Sequence, residues 1–261
     1  MSSTITRRAA LPLIAGIPLA ASAAAVAAPA RAVSVEGLIR EARSLPHVSQ
    51  RVDFISSRLL GTRYKADTLI GSPTRPEQFV VRDDAFDCVT FCELVLAASL
   101  VQTFDGFPAL LRRIRYENGE VSYNRRNHYF ADWCSRNTEN GICKPVAIGP
   151  SIVIDKTVTW HREFGKRPVS MRLVDKASLL QHAKVLAPGD IIGFASRRPG
   201  LDYYHTGFVA FAKTGDLLLR SASLSHGRVV DERMTDFMAV NPVKYVSLLR
   251  AAESVPVADR N

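Results

Sequence analysis

The stretch FDCVTF at residues 86–91 opens the clearest helix of the chain, which reads CVTFCELVLAASLVQ over residues 88–102. This segment is apolar on nearly all sides, and Glu93 is its only charged residue. A helix that is hydrophobic all round is a buried helix. The stretch therefore predicts a core helix that begins just after Asp87 and carries Cys88 in its first turn.

Cys88 is the candidate nucleophile. The unpaired N–H groups and the dipole at a helix N-terminus favour a thiolate, so this position is expected to lower the pKa of the thiol from about 8.5. A thiolate nucleophile needs a partner that transfers protons, usually His. His205 opens the strand-like run HTGFVAFA at residues 205–212 and is the best candidate. The alternative is that Cys88 is only a small buried hydrophobic residue.

Short apolar runs separated by turn residues indicate strands in the C-terminal part of the chain. They lie at residues 190–195, 205–212, 217–221, 229–230 and 243–249. Upstream, residues 34–60 and 107–117 have helical character, whereas residues 61–86 look irregular and residues 118–150 look mixed. Helices followed by antiparallel strands predict one α+β domain over residues 33–261.

Residues 1–32 have the pattern of an export signal. Arg7 and Arg8 precede an Ala-rich apolar run that ends in small-residue cleavage patterns. This is the secretory pattern, and the arginine pair indicates the twin-arginine route. We therefore expect a periplasmic or secreted protein without stable membrane insertion after cleavage. A membrane anchor is the alternative, but the run is mostly Ala and contains two prolines, which weakens insertion.

Composition restricts the class of protein further. The 261 residues include 47% hydrophobic and 23% charged residues, with a net charge of +9. These values are ordinary for a globular protein and exclude a mostly disordered chain. The sequence lacks His-Glu-x-x-His and paired Cys-x-x-Cys patterns, so no metal or cofactor is expected. Its basic clusters are dispersed and favour an anionic cell wall over nucleic acid as a partner.

The sequence resembles the papain-like, NlpC-type peptidoglycan cysteine hydrolases, and within them the N-acetylmuramoyl-L-alanine amidase-like branch. The resemblance is carried by LGTRY (60–64), DCVTFCE (87–93), RNHYFADW (126–133), GDII (189–192) and DYYHTG (202–207). It implies a papain-like fold in which the buried helix with Cys88 packs on an antiparallel sheet with His205. It also implies that the chain hydrolyses an amide bond in peptidoglycan fragments, with the bond between N-acetylmuramic acid and L-Ala favoured.

The resemblance also implies a third catalytic residue. In the family, the strand after the catalytic His often carries a polar side chain that orients the imidazole. Ser221 occupies that position here, while Ser223 and His226 are alternatives because the strand register is uncertain.

Further residues are candidates for contacts with the reacting group or the substrate. The backbone N–H of Cys88 is the natural donor to the oxyanion. By the resemblance, candidate substrate contacts come from Tyr64, Asp87, Arg126, His128 and Tyr129. Asp87 has an alternative role as the cap of the helix, and the other loop residues have an alternative role in packing.

The sequence leaves alternatives open for the function and for the cysteines. The chain is either an amidase, an endopeptidase that cuts between D-Glu and a diamino acid, or a non-catalytic cell-wall-binding protein that keeps the fold. Cys134 and Cys143 either pair in an oxidising periplasm or stay free. Cys92 lies one turn after Cys88 and is expected to be a core thiol. The sequence does not define the oligomeric state.

Overall fold

The computed structural model describes residues 34–255, and the predicted export signal at residues 1–32 lies outside the described residues. The helices are α1 (Val35–Ala42), α2 (Val48–Arg58), α3 (Cys88–Leu100), α4 (Phe107–Arg115), α5 (Phe130–Glu139), α6 (Lys176–Gln181) and α7 (Met234–Val240). The strands are β1 (Arg63–Tyr64), β2 (Ile70–Ser72), β3 (Arg75–Gln78), β4 (Ala85–Phe86), β5 (Cys143–Pro145), β6 (Ile152–Val158), β7 (Arg167–Asp175), β8 (Ile191–Ala195), β9 (Tyr203–Phe211), β10 (Leu217–Ser223), β11 (Arg228–Arg233) and β12 (Tyr245–Ala251). The predicted α+β class is confirmed.

Most of these strands join one sheet. Over residues 34–255 its order is β4-β1-β11-β10-β9-β8-β12-β7-β6, and β5 also pairs with β12. The pairing of β1 with β4 is parallel, whereas β8, β9, β10 and β11 follow one another as antiparallel neighbours. The strands predicted after residue 188 correspond to β8 through β12, so this part of the fold follows the sequence pattern.

Helix α3 is the central helix of the fold and covers one face of the sheet. The Phe91 ring meets the Phe208 ring of β9 edge-on, with centroids 5.6 Å apart. Successive residues of a strand point to opposite faces, so Val209 lies in a second apolar cluster with Phe194 and Phe237 of α7. The sheet is therefore covered on both faces in the second half of β9.

The region before β8 contains structure that the sequence patterns did not indicate. Helix α5 lies within the segment predicted as mixed, and β6 and β7 form a long antiparallel hairpin from Ile152↔Leu173 to Val158↔Arg167. Among residues 34–255 no helix has the length and apolarity needed to cross a bilayer.

Candidate active site

Asp87 caps helix α3. Its Oδ1 accepts the N–H groups of Val89 at 3.0 Å and Thr90 at 2.8 Å, and the N–H of Asp87 donates to Thr90 Oγ1 at 3.1 Å. Burial raises the pKa of Asp87, and these hydrogen bonds oppose the rise. The structure thus gives Asp87 the capping role that the sequence offered as the alternative to substrate binding. Within residues 34–255 the N–H of Cys88 donates to no other residue and lies against the residue's own sulfur.

Cys88 is half-buried in the first turn of α3. The backbone N–H of Thr206, the residue after His205, lies close enough to the Cys88 sulfur to lower the pKa of the thiol. This contact brings the start of α3 to the start of β9. Thr206 was not among the residues predicted for the site, and its position next to His205 is the one signal that could have suggested it.

The expectation of a lowered thiol pKa at Cys88 is wrong. Burial of the sulfur, together with the neighbouring Asp87 carboxylate, raises this pKa to about 12. The N–H groups of Thr206, Cys88 and Val89 oppose these effects without overcoming them. The helix N-terminus is thus outweighed by removal of the sulfur from water and by the capping carboxylate.

His205 is held by a hydroxyl and by two aromatic rings. Its Nε2 lies 2.9 Å from Ser221 Oγ, and its ring lies 6.1 Å from the Phe194 ring and 5.5 Å from the Phe237 ring. Burial lowers the pKa of His205 to about 4, so the imidazole is neutral at pH 7. The other ring nitrogen, Nδ1, has no hydrogen-bond partner in the described part of the chain.

Gly207 allows the strand with Ser221 to approach the strand with His205. A Cβ at position 207 would lie 2.6 Å from the carbonyl oxygen of Arg220 and 2.8 Å from Cβ of Ser221. Real Cβ atoms do not approach other atoms so closely. Glycine at this position therefore permits the short distance between Ser221 and the imidazole.

The three candidates for the third residue occupy different places. Ser221 bonds to His205, whereas Ser223 Oγ lies 3.0 Å from His226 Nδ1 and 2.9 Å from Ser225 Oγ. The structure therefore brings Ser221, and neither Ser223 nor His226, to the imidazole.

Ser221→Ala should lower kcat about fivefold, because one neutral hydrogen bond contributes about 1 kcal/mol to orientation of the imidazole. Ser221 is completely buried and alanine fits its place. Steady-state kinetics of amide hydrolysis measures the effect. Ser223→Ala is the matched control, and an equal loss in both variants would contradict the orienting role of Ser221.

Tyr64 lies beside the nucleophile. It pairs with Phe86 across β1 and β4, and its N–H donates to the carbonyl of Gly227 at 2.8 Å. Burial raises the pKa of Tyr64 to about 12, and the charges of Cys88 and Asp87 contribute to the rise. The half-buried phenol therefore stays protonated and can donate a hydrogen bond near the sulfur.

Arg126 has a structural partner. Its Nε donates to Glu77 Oε1 at 3.0 Å, and its Nη2 pairs with Glu77 Oε2. The Glu77 side chain is buried and also accepts the hydroxyl proton of Tyr116 at 2.8 Å. The guanidinium predicted to contact substrate is thus committed to an ion pair beneath the β2–β3 hairpin.

His128 and Tyr129 also pack inside the molecule. His128 Nε2 lies 2.7 Å from the carbonyl oxygen of Tyr123, and burial lowers the pKa of His128 to about 4. Tyr129 is 2% exposed, and its hydroxyl accepts the N–H of His161 at 3.0 Å. The turn after β6 encloses the ring of Tyr129, which is the packing role that the sequence left as the alternative to a substrate contact.

The three cysteines other than Cys88 are free thiols. Cys92 is fully buried, as expected for a core thiol, and Cys134 and Cys143 are both free. Within residues 34–255 no group of three His, Cys, Asp or Glu side chains is placed to hold a metal ion.

Comparison with known proteins places the chain in a family. The model of the AmiA-like, N-acetylmuramoyl-L-alanine amidase-like family matches residues 54–244. An N-acetylmuramoyl-L-alanine amidase from Bacteroides uniformis is similar in structure with a TM-score of 0.69 and 25% identity, over 78% of this chain and 98% of that one. A protein from Legionella pneumophila has the same fold with a TM-score of 0.73 and 22% identity, over 85% of this chain and 96% of that one. No curated protein matches the sequence.

The family model spans most of the chain and includes every residue of the site described above. The chain therefore belongs to the AmiA-like family of N-acetylmuramoyl-L-alanine amidase-like proteins.

Proposed function

We propose that the chain is an exported, papain-like cysteine amidase that hydrolyses the bond between N-acetylmuramic acid and L-Ala in peptidoglycan fragments. Family membership supports a cell-wall amide hydrolase. The observation that supports the cysteine mechanism is the packing of the first turns of α3 on the start of β9: Cys92 Sγ lies 3.8 Å from Thr206 Oγ1, and the Thr206 N–H lies near the Cys88 sulfur. Thr206 follows His205 directly, so this packing brings the proposed nucleophile to the strand that bears the proposed base. Export is supported by residues 1–32 of the sequence.

In the proposed reaction the Cys88 sulfur attacks the carbonyl carbon of the lactyl amide. His205 accepts the thiol proton during the attack, since its imidazole is neutral and Nδ1 is unpaired within residues 34–255. We assign stabilisation of the oxyanion to the N–H of Cys88 and the phenol of Tyr64, which both lie near the sulfur. Ser221 keeps the imidazole in one orientation through Nε2.

The second half of the reaction releases both products. His205 gives its proton to the nitrogen of L-Ala, so the C–N bond breaks and the acyl group stays on sulfur as a thioester. A water molecule then attacks the thioester while His205 accepts its proton. The sugar acid leaves, and the thiol and the neutral imidazole are restored.

The pKa values of the pair predict an unusual pH dependence of thiol reactivity. With a Cys88 pKa of about 12, alkylation of Cys88 by iodoacetamide should rise about tenfold for each pH unit between about pH 6 and pH 10. A thiolate–imidazolium pair would instead react at a nearly constant rate over this range. Peptide mass spectrometry measures the rate at Cys88, and a flat profile would contradict the neutral pair.

The same pair predicts the acid limb of activity. The rate constant kcat/KM should fall as the pH drops through about 4, because His205 is then protonated and cannot accept the thiol proton. A limb near the usual pKa of an exposed imidazole would show that His205 is accessible to water in the active enzyme.

Mass spectrometry of purified muropeptides incubated with the mature protein tests the proposed bond. A free stem peptide that begins with L-Ala, together with the free amino sugar, supports the amidase. A shortened muropeptide that keeps L-Ala on the sugar would replace it with the endopeptidase that cuts after D-Glu. No product with any fragment would contradict catalysis on these substrates and favour a cell-wall-binding protein.

A further inference from the structure

We propose that the tip of the β6–β7 hairpin and the loop between β8 and β9 form a second binding surface for the glycan strands of the cell wall. We call it the Trp160 surface, and it consists of Trp160, Arg162, Lys166, Arg197 and Arg198. This inference rests on the proposed function, since it assumes that the chain meets peptidoglycan.

Trp160 is exposed in a fixed position. It is 58% exposed, which is unusual for the largest apolar side chain. Its backbone N–H donates to the carbonyl oxygen of Gly200 at 3.1 Å, and the N–H of Thr159 donates to the same oxygen at 2.8 Å. The backbone that carries the indole is thus fixed by hydrogen bonds to Gly200 in the β8–β9 loop. A preformed binding surface requires such a fixed backbone.

The loop between β8 and β9 is anchored to the hairpin by a lysine. Lys156 Nζ donates to the carbonyl oxygens of Ser196 at 2.8 Å and Arg198 at 2.7 Å, and it also bonds to the carbonyl of Leu201. A Cβ at Gly200 would lie 2.2 Å from Thr159 Oγ1, so the close approach of hairpin and loop requires glycine. Hairpin and loop therefore present their side chains as one surface.

The charges around Trp160 are positive. Arg162, Lys166, Arg197 and Arg198 are exposed and make no ion pair within residues 34–255. Of the nearby carboxylates, Glu163 accepts a hydrogen bond from the Tyr123 hydroxyl and faces His161, and Asp132 pairs with Arg167. The two loops that present the exposed indole therefore also present four cations that are available to an anionic ligand.

This combination fits a carbohydrate that carries carboxylates. The flat indole ring can stack on the apolar C–H face of a pyranose, while arginine and lysine pair with carboxylates of the lactyl ethers or stem peptides. The β8–β9 loop continues directly into the strand with His205. A glycan strand bound to the Trp160 surface would thus contact the loop that leads directly into β9, the strand that carries His205.

Co-sedimentation with purified sacculi tests this surface, with the Cys88→Ala protein as the parent so that no substrate is consumed. Trp160→Ala should weaken binding about tenfold. Replacement of Arg197 and Arg198 by Gln should weaken binding mainly at low salt, about 50 mM, where charges are little screened. Val240→Ala, at an 83% exposed site on α7, and replacement of Arg40 and Arg43 on the surface around α1 by Gln are the matched controls.

Equal binding by the parent and the Trp160→Ala variant would overturn the proposal. Complete competition by duplex DNA would also overturn it, because the surface would then recognise charge alone. The result is independent of turnover: wild-type protein that releases no product from muropeptides contradicts the proposed function, whereas unchanged sedimentation contradicts the Trp160 surface.

Discussion

Replacement of Cys88 by serine should lower muropeptide hydrolysis at least about 10³-fold, because removal of an activated nucleophile removes the covalent pathway. The neutral imidazole of His205 is too weak a base to generate an alkoxide, whose parent hydroxyl is much less acidic than a thiol. The change replaces one atom by a smaller one at a half-buried site, so the fold should persist. Chromatography of the released stem peptide measures the loss.

Cys92→Ser is the matched control for this prediction. Cys92 lies one turn further along α3, is completely buried, and places its sulfur 3.8 Å from Thr206 Oγ1. We expect activity within about threefold of the wild type and a small loss of stability, since sulfur is replaced by a more polar oxygen in the core. If Cys92→Ser abolished activity and Cys88→Ser did not, the nucleophile would be Cys92 and not Cys88.

The elements that the sequence predicted best are those whose own residues determine their surroundings. The helix 88–102 is apolar on every side, so it must be buried wherever the chain places it. The strands after residue 188 are short apolar runs between turn residues. From β8 to β11 each strand pairs with the next one along the chain, whereas β12 returns to pair with β8. Local pattern and tertiary structure agree in these segments.

Helix α5 shows why other elements were not predicted. Its first turn is held by Asp202, whose Oδ2 accepts the N–H of Ala131 at 2.7 Å across 71 residues of sequence. The helix is thus completed by a side chain that lies far away in the chain. Hairpin β6–β7 has a similar cause, because many of its side chains are exposed and polar and its alignment depends on pairing with β12.

The site follows the same division. Cys88 and His205 are predicted from motifs because nucleophilic catalysis needs such residue types, and Ser221 follows from the family resemblance. Of the three candidates for the third residue, the structure places Ser221 against His205. The sequence predicts a lowered pKa for the Cys88 thiol because the helix N-terminus is a local feature. Burial of the sulfur raises this pKa, and burial depends on the whole fold. The sequence does not predict the ion pair of Arg126 with Glu77, because the two residues lie 49 positions apart in the chain.

Glu93→Ala should destabilise the protein by about 3–5 kcal/mol, because it leaves the guanidinium of Arg115 buried without its counter-charge. Arg115 Nε lies 2.6 Å from Glu93 Oε2, and the two side chains are 4% and 3% exposed. The pair joins α4 to the only charged residue of α3, next to the turn that carries Cys88. Urea unfolding followed by circular dichroism measures the loss.

Two further variants separate the charge effect from a packing effect. Leucine at position 93 combined with methionine at position 115 should recover most of the stability, since a buried ion pair is often replaced by apolar residues at little net cost. The exposed pair of Arg58 and Glu41, 3.1 Å apart, is the control, and Arg58→Ala should cost less than about 1 kcal/mol. If the double variant were as unstable as Glu93→Ala, the charge effect would be contradicted. The loss of stability would then come from the missing hydrogen bond of Arg115 to the Val80 carbonyl.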